Sequence, residues 1–454
     1  MYLNEPSTHG TVLRVQGSGD SPALQVPVAK RTRVDDRAPT SRHAAAGRFR
    51  LGRRTGFWAI AASLASLTAF STAPSPLYGI YAQQDHLSSI TITAVYAVYA
   101  VGVVASLLLV GHVSDWYGRR PVLISALLVA LVAALIFCAS TSLPALFTAR
   151  VLTGVALGAA IATASAYLTD LDLGPGGSAT RRSQVVSSAA NVGGLATGPL
   201  LAGLLARYVP GTPRLPYLIF AILLVLAVMA TAAAPEGRPV PKTGPRYHPQ
   251  RLAAPSDARA QFNAALIGAL SIFTVYGVFA GLAGAFLAGP LHHPSTAWAG
   301  VAVFLTFGTG ILTQITTRSW SLRHLLRLGV PALLLGLTAV VAAAWVTPPS
   351  LTLFFAGALL VGAGSGTISR GALTIVITTA AANNRAGAVA SYFVVGYLGL
   401  SLPVLAAGIA LQHVTFQVTL LVLSVAAAAG ILLASRYLLR LPTPKTGDTP
   451  DTDT

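Results

Sequence analysis

The sequence is short of charge: Asp, Glu, Lys and Arg make up 9% of its 454 residues, against roughly 25% in a soluble domain. So little charge cannot clothe a chain that is 54% apolar, which excludes an ordinary water-facing protein and equally a disordered one. Cysteine is almost absent. The single Cys138 has no partner for an intrachain disulfide or a Cys-ligated metal site, and reads as small apolar packing. Alternating apolar and polar stretches of about ten residues, the mark of a membrane barrel, are missing. So is the G-x-x-x-x-G-K-[ST] phosphate loop that a primary pump requires. The nine histidines are scattered, with only His292 and His293 adjacent. Neither a metal site nor the grouped acids of a membrane-embedded enzyme is expected, and no cofactor.

What is present is apolar helix. A bilayer core takes about 20 apolar residues per helical span. Long, nearly uncharged runs bounded by Pro, Gly or Arg predict twelve spans: 57–82, 90–110, 121–140, 144–169, 184–208, 216–234, 263–289, 297–317, 325–347, 351–377, 386–411 and 415–437. The chain is therefore expected to be an all-α membrane protein.

The net charge of +17 raises the question of nucleic acid, and the placement of the bases answers it. Twenty-six of the thirty Lys and Arg fall in one set of alternate loops and the two tails, while the opposite loops hold only Arg207 and Arg214. By the positive-inside rule both termini are cytoplasmic, as in a multi-pass protein of the cell inner (plasma) membrane. The run from Lys30 to Arg54 reads as an orientation signal that also meets anionic lipid; a nucleic-acid arm or regulatory tail is the alternative. A cleaved signal peptide does not fit a polar leader of some 55 residues.

The expected organisation is a disordered basic tail (1–55), a six-helix bundle (56–234), a Pro- and Arg-rich linker (235–260), a second six-helix bundle (261–440) and a tail (441–454). The two halves echo each other. An offset of 208 maps Gly154 and Gly158 onto Gly362 and Gly366, and an offset of 204 maps Pro199 onto Pro403. Repeats of this kind mark transporters whose site lies between two bundles.

After the second span the chain reads GHVSDWYGRRPVL, in which Gly111 and Gly118 permit a tight turn, Asp115 can face a helix N-terminus, and Arg119 and Arg120 can pair with acids or carbonyls. Such a cluster would latch one bundle to the other in one of two conformations. The pattern G-x-x-x-D-x-x-G-R-R resembles the loop signature of the major facilitator superfamily. The resemblance covers about residues 56–440 and implies two pseudo-symmetric six-helix bundles working by alternating access. The basic residue that usually follows the aspartate is here Trp116, and the matching loop of the second half, TTRSWSLRHLLR, has no aspartate. A symmetric latch is not expected.

The fourth span, RVLTGVALG, resembles a second signature of that superfamily, an intramembrane arginine followed by small residues, and so implies a substrate or coupling role for Arg150. Buried arginine is costly and should face a cavity or a partner. The alternative is snorkelling to the headgroups, since Arg150 lies about 10 Å along the helix from Pro144. In the fifth span Gly194, Gly198, Pro199 and Gly203 form G-x-x-x-G-P-x-x-x-G, a spacing that gathers small residues on one face around a bend. It resembles the signature of exporters that act as antiporters, although Ala202 stands where the family often has glycine.

Thr68, Ser71, Thr72 and Ser75 share a face of the first span, ahead of the helix-breaking Pro74 and Pro76. With Tyr96, Tyr99, Asn191, Tyr276 and Tyr392 they are the remaining candidates for a polar, aromatic pocket. Each taken singly is as readily packing or an interface anchor. No predicted span contains Asp or Glu. A strongly cationic substrate, which would need a buried acid, is disfavoured against a neutral or anionic one. Arg370 would add to an anion site if it faces the cavity, and Asp85 beside His86 is a candidate proton carrier. A monomeric, proton-coupled exporter of small organic molecules is expected, with an importer of a sugar or organic anion as the alternative.

Overall fold

The computed structural model describes residues 51–84, 86–111, 113–173, 180–209, 214–237, 252, 254–255, 258–381 and 384–439. Most of both tails and of the central linker, with Asp85, lie outside them. Twelve helices long and apolar enough to span a bilayer are found among the described residues.

The first span is two pieces, α1 (Arg53–Thr72) and α2 (Tyr78–Gln84), joined by a 3-10 turn at Ser75–Leu77. Pro74 and Pro76 impose the break: each lacks an N–H, and its ring collides with the carbonyl four residues earlier. Then follow α3 (Ser89–Leu109), the short α4 (Ser114–Tyr117), α5 (Arg119–Ala139), α6 (Leu143–Leu171), α7 (Arg181–Tyr208) and α8 (Leu215–Ala233). The second half comprises α9 (Arg259–Ala288), α10 (Thr296–Thr316), α11 (Leu322–Trp345), α12 (Leu351–Thr379), α13 (Arg385–Ala410) and α14 (Phe416–Leu439). Hydroxyl caps start many of them. Ser88, Thr180, Ser295, Ser321 and Ser350 each accept a backbone N–H from the first turn of α3, α7, α10, α11 and α12. Gly118, at φ 93°, takes the left-handed backbone that turns the chain into α5.

Several helices run farther than the apolar runs, since a long arginine stem lets a charged residue stand in the end turn of a span. Spans one, five, seven and eleven start on or beside Arg53, Arg181, Arg259 and Arg385. The extension of α6 to Leu171 corrects one expectation: Asp170, placed by sequence in a loop, is a buried carboxylate inside the fourth span, 2% exposed.

The two halves repeat one packing plan. In the first, α1 packs on α7 and α8, α3 on α6, and α5 on α6 and α8; in the second, α9 packs on α13 and α14, α10 on α12, and α11 on α12 and α14. The glycine echo carries this plan. A Cβ on Gly154 would collide with the carbonyl of Tyr99 in α3, and one on Gly362 with the carbonyl of Thr306 in α10. Fourth and tenth spans thus press on second and eighth in the same way, as small residues allow. Leu128, Val132, Ile222, Leu226, Leu335 and Val422, on α5, α8, α11 and α14, stay exposed and form part of an outer belt suited to lipid.

The halves meet through α7 on α10 and α3 on α13. Their close contacts gather at the face opposite the basic loops: Thr296 donates to the Gly203 carbonyl at 3.0 Å, Gly300 lies against Pro199, and Gly408 against Thr93. The glycines of the fifth span divide their work, contrary to the single face expected. Gly194 and Gly198 admit α1, whereas Pro199 and Gly203 meet α10. Five residues separate Gly198 from Gly203, so they lie more than a full turn apart and point differently.

A cationic and aromatic central cavity

Between the halves lies a cavity of about 1100 Å³ of empty space, its open mouth included. The first half contributes Ser71, Thr72 and Ser75 from the broken first span, Tyr96 and Tyr99 from α3, Arg150 from α6, and Asn191 and Ser188 from α7. From the second half come Phe273 and Tyr276 of α9, Phe307 and Gln314 of α10, Ser369 of α12, and Tyr392, Phe393 and Tyr397 of α13. Lining residues nearest the closed face are buried, as Ser71, Tyr96 and Arg150 show, whereas Ser188 is exposed and Gln314, Ser369 and Leu373 are half-buried. The cavity therefore opens toward the face that carries the basic loops.

Arg150 is 1% exposed, so it does not snorkel. Its Nη1 donates to the Ser71 carbonyl at 2.8 Å. That acceptor belongs to the last turn of α1, whose carbonyls lose their helical partners where Pro74 and Pro76 break the chain. The negative end of the α1 dipole thus meets the guanidinium. Rings supply the rest of its surroundings: the Arg150 Cζ stands 4.7 Å from the Tyr99 centroid and 5.8 Å from those of Tyr78 and Tyr96. Among the described residues no Asp or Glu lines the cavity, and the Arg150 Nε is buried with no hydrogen-bond partner.

Of the candidates named from sequence, Arg150, Ser71, Thr72, Ser75, Tyr96, Tyr99, Asn191, Tyr276 and Tyr392 share this cavity. Thr68 does not. Its Oγ1 donates to the carbonyls of Leu64 at 2.9 Å and Ala190 at 3.1 Å, under the close approach of Gly194. The shared hydroxyl face is turned partly onto α7, and Thr72 likewise donates to the Leu195 carbonyl at 3.0 Å. Arg370 is not among the lining residues either. Its Nη1 donates to the Gln314 carbonyl at 2.8 Å and its Nη2 to that of Arg318, so it closes the last turn of α10. Sequence reading missed Phe273, Phe307, Phe393, Tyr397, Gln314, Ser188 and Ser369. Aromatic residues in apolar runs carry no mark of which way they face, and Ser188 and Gln314 sit near span ends where polar residues are ordinary.

The cluster expected to act as a latch is tied together within one bundle. Arg119 pairs with Asp115 at 2.6 Å and with buried Asp170 at 3.1 Å, and its Nη1 donates to Ser114 Oγ at 2.7 Å. Glu236 accepts the backbone N–H groups of Arg119 at 2.8 Å and Arg120 at 3.2 Å, capping α5. Arg120 reaches the Ala234 carbonyl, Tyr167 the Pro235 carbonyl, and Arg53 the Asp170 carbonyl. These bonds tie the starts or ends of spans one, three, four and six of the first half together. In this conformer the partners of the cluster all lie in the first half, among the described residues. Gly111 stands against the Leu107 carbonyl at the end of α3, where a Cβ would lie 2.7 Å away.

Twelve membrane-spanning helices in two like bundles, with a polar cavity between them open at one face, define the architecture of a secondary transporter. The chain belongs to the Major Facilitator Superfamily, whose family model matches residues 58–401. No curated protein matches it in sequence. Among solved structures it is similar in fold to a variant of the nucleoside transporter NupG, with a TM-score of 0.65 at 12% identity over 85% of this chain and 99% of that one. It is similar too to the human organic anion transporter MFSD10 (TETRAN), with a TM-score of 0.60 at 17% identity over 85% of this chain and 100% of that one. A bacterial homolog of the human lysosomal transporter Spinster, in an inward-facing and unoccupied conformation, gives 0.61 at 15% identity over 85% and 98%.

Proposed function

We propose that this transporter is a proton-coupled exporter of small organic molecules, neutral or anionic, acting as a monomer in the cell inner membrane with both termini cytoplasmic. The observation that carries the substrate charge is Arg150: a buried guanidinium on the cavity wall, held by a carbonyl and three rings, with no carboxylate beside it among the described residues. A cationic substrate would meet uncompensated repulsion there, and an anion would complete the site. The basic loops favour a cytoplasmic open face, so the conformer is one that loads from inside. Export and proton antiport draw support from the Gly194, Gly198, Pro199 and Gly203 signature. The organic anion transporter among the structural neighbours is consistent with the charge preference.

The test is uptake by inverted membrane vesicles of a panel of neutral, anionic and cationic compounds, with and without an imposed proton gradient. Gradient-driven accumulation of a neutral or anionic compound, lost in Arg150→Ala, is the expected result. Accumulation of cations alone would overturn the charge assignment. Uptake indifferent to the gradient would remove the proton, and uptake only in right-side-out vesicles would reverse the direction.

A further inference from the structure

The two walls of the cavity differ in chemistry. The first-half wall carries serine and threonine hydroxyls, Asn191 and the Arg150 guanidinium beside Tyr96 and Tyr99, while the second-half wall is mainly rings, with Gln314 and Ser369 among them. Phe273 meets Tyr276, Tyr392 and Tyr397 edge to face at 6.4, 6.3 and 5.9 Å, and Tyr276 stacks on Phe307 at 4.5 Å. A chain of ring contacts joins the walls: Tyr99, which covers Arg150, meets Tyr397 across the bundle interface at 6.2 Å.

Polar atoms on both walls lack partners. Arg150 Nε, Asn191 Oδ1, Ser75 Oγ and Tyr276 Oη are buried without a hydrogen bond. An unpaired buried polar group costs free energy, so a ligand group that reaches one of these atoms gains from pairing it. Because Nη1 of Arg150 is committed to Ser71, a ligand meets the guanidinium along its Nε edge, the edge that a planar carboxylate engages side-on. One guanidinium matches one negative charge, since no other Arg, Lys or His among the described residues lines the cavity. The rings opposite offer faces and edges to a flat apolar body.

Resting on the transport role proposed above, we propose that the substrate is a planar aromatic monocarboxylate, its carboxylate on the Nε edge of Arg150 and its ring against Phe273, Tyr276 and Phe307. The charge selects at one wall and the ring at the other, so the two preferences are separable by substitution.

Ligand-observed NMR titration of the purified full-length protein in lipid nanodiscs, with benzoate, methyl benzoate and cyclohexanecarboxylate, tests this. Benzoate is expected to bind about 10- to 100-fold more tightly than its methyl ester, the worth of charge-assisted hydrogen bonds. It should bind roughly 2- to 10-fold more tightly than the saturated acid, the worth of ring contacts. Arg150→Lys keeps the charge and loses the side-on fork, and should weaken benzoate about 10-fold. Phe307→Leu lies on the other wall and spares the Ser71 bond. It should erase the preference for benzoate over cyclohexanecarboxylate while leaving the methyl-ester gap intact. Equal affinity for benzoate and either relative overturns the proposal, as does absence of benzoate binding in a preparation that transports another compound of the vesicle panel. If nothing is bound and nothing transported, the transport role falls, and the substrate with it.

Discussion

Gly154 gives the sharpest test of how the first bundle is held. A Cβ placed there would overlap the Tyr99 carbonyl oxygen and lie 3.0 Å from the Val103 nitrogen and 3.1 Å from the Gly102 Cα. All three are backbone atoms of one helix, so no side chain can swing aside and α3 must shift away from α6. Overpacking of this kind costs about 1–3 kcal/mol, and a collision with rigid backbone belongs at the upper end. Alanine also raises helix propensity by about 1 kcal/mol over glycine. That gain is matched at Gly193, where a Cβ would meet nothing within 4 Å. Comparing Gly154→Ala with Gly193→Ala cancels the propensity gain and leaves the collision. Thermal unfolding followed by intrinsic fluorescence in one detergent should place Gly154→Ala below wild type by about 2 °C or more, with Gly193→Ala at or above it. Displacing α3 also displaces Tyr99, 4.7 Å from Arg150, so vesicle uptake should fall with the first variant and persist with the second. Indistinguishable melting of the two variants would refute the contact on which the reasoning depends.

The latch should fail at its buried acid before its exposed one. Asp170→Asn leaves Arg119 short of a partner in a site 3% exposed, at a cost of about 3 kcal/mol, whereas Asp115 is 54% exposed and Asp115→Asn should cost under about 1 kcal/mol; melting temperatures in the reverse order would contradict the assignment. Glu236→Ala removes an acceptor from two N–H groups of α5 and should cost about 1 kcal/mol, with Glu236→Gln recovering most of it in the same melt. On a Cys138→Ser background, Ser188→Cys should react with a membrane-impermeant maleimide in inverted vesicles and stay unlabelled in intact cells. Labelling only from outside would invert the orientation.

The repeat and the latch were legible in sequence to different depths. Gly154 and Gly362 could be paired by offset alone, because a close helix crossing tolerates only the smallest side chains and so leaves the same residue in both halves. The latch residues were legible as a cluster, since Gly118, Arg119 and Asp115 are consecutive enough to be read as a turn. Their partners were not: Asp170 and Glu236 come from 51 and 117 positions away from Arg119. Asp170 was hidden further by its own sequence context, the start of a polar stretch that read as loop, although the helix runs on through Asp170 to Leu171. The cavity was half legible. Its polar wall stood out because hydroxyls, Asn191 and Arg150 are anomalies in apolar runs, and an anomaly in a membrane span calls for a partner.

The amino-acid sequence by itself determined the solvent, the span count and the basic face, since each depends on composition per segment: apolar length must match the bilayer, and charge must avoid it. It also singled out Arg150 as a cation inside a span, which must find a cavity, a partner or the headgroups. Only the tertiary structure decided how. Which carbonyl Arg150 caps, which rings cover it, why Arg370 closes a helix end instead of joining it, and why Thr68 turns away while Ser71 does not are matters of helix rotation. Rotation is set by packing many side chains against neighbours distant in the chain, and a repeat of one turn in 3.6 residues carries no record of those neighbours.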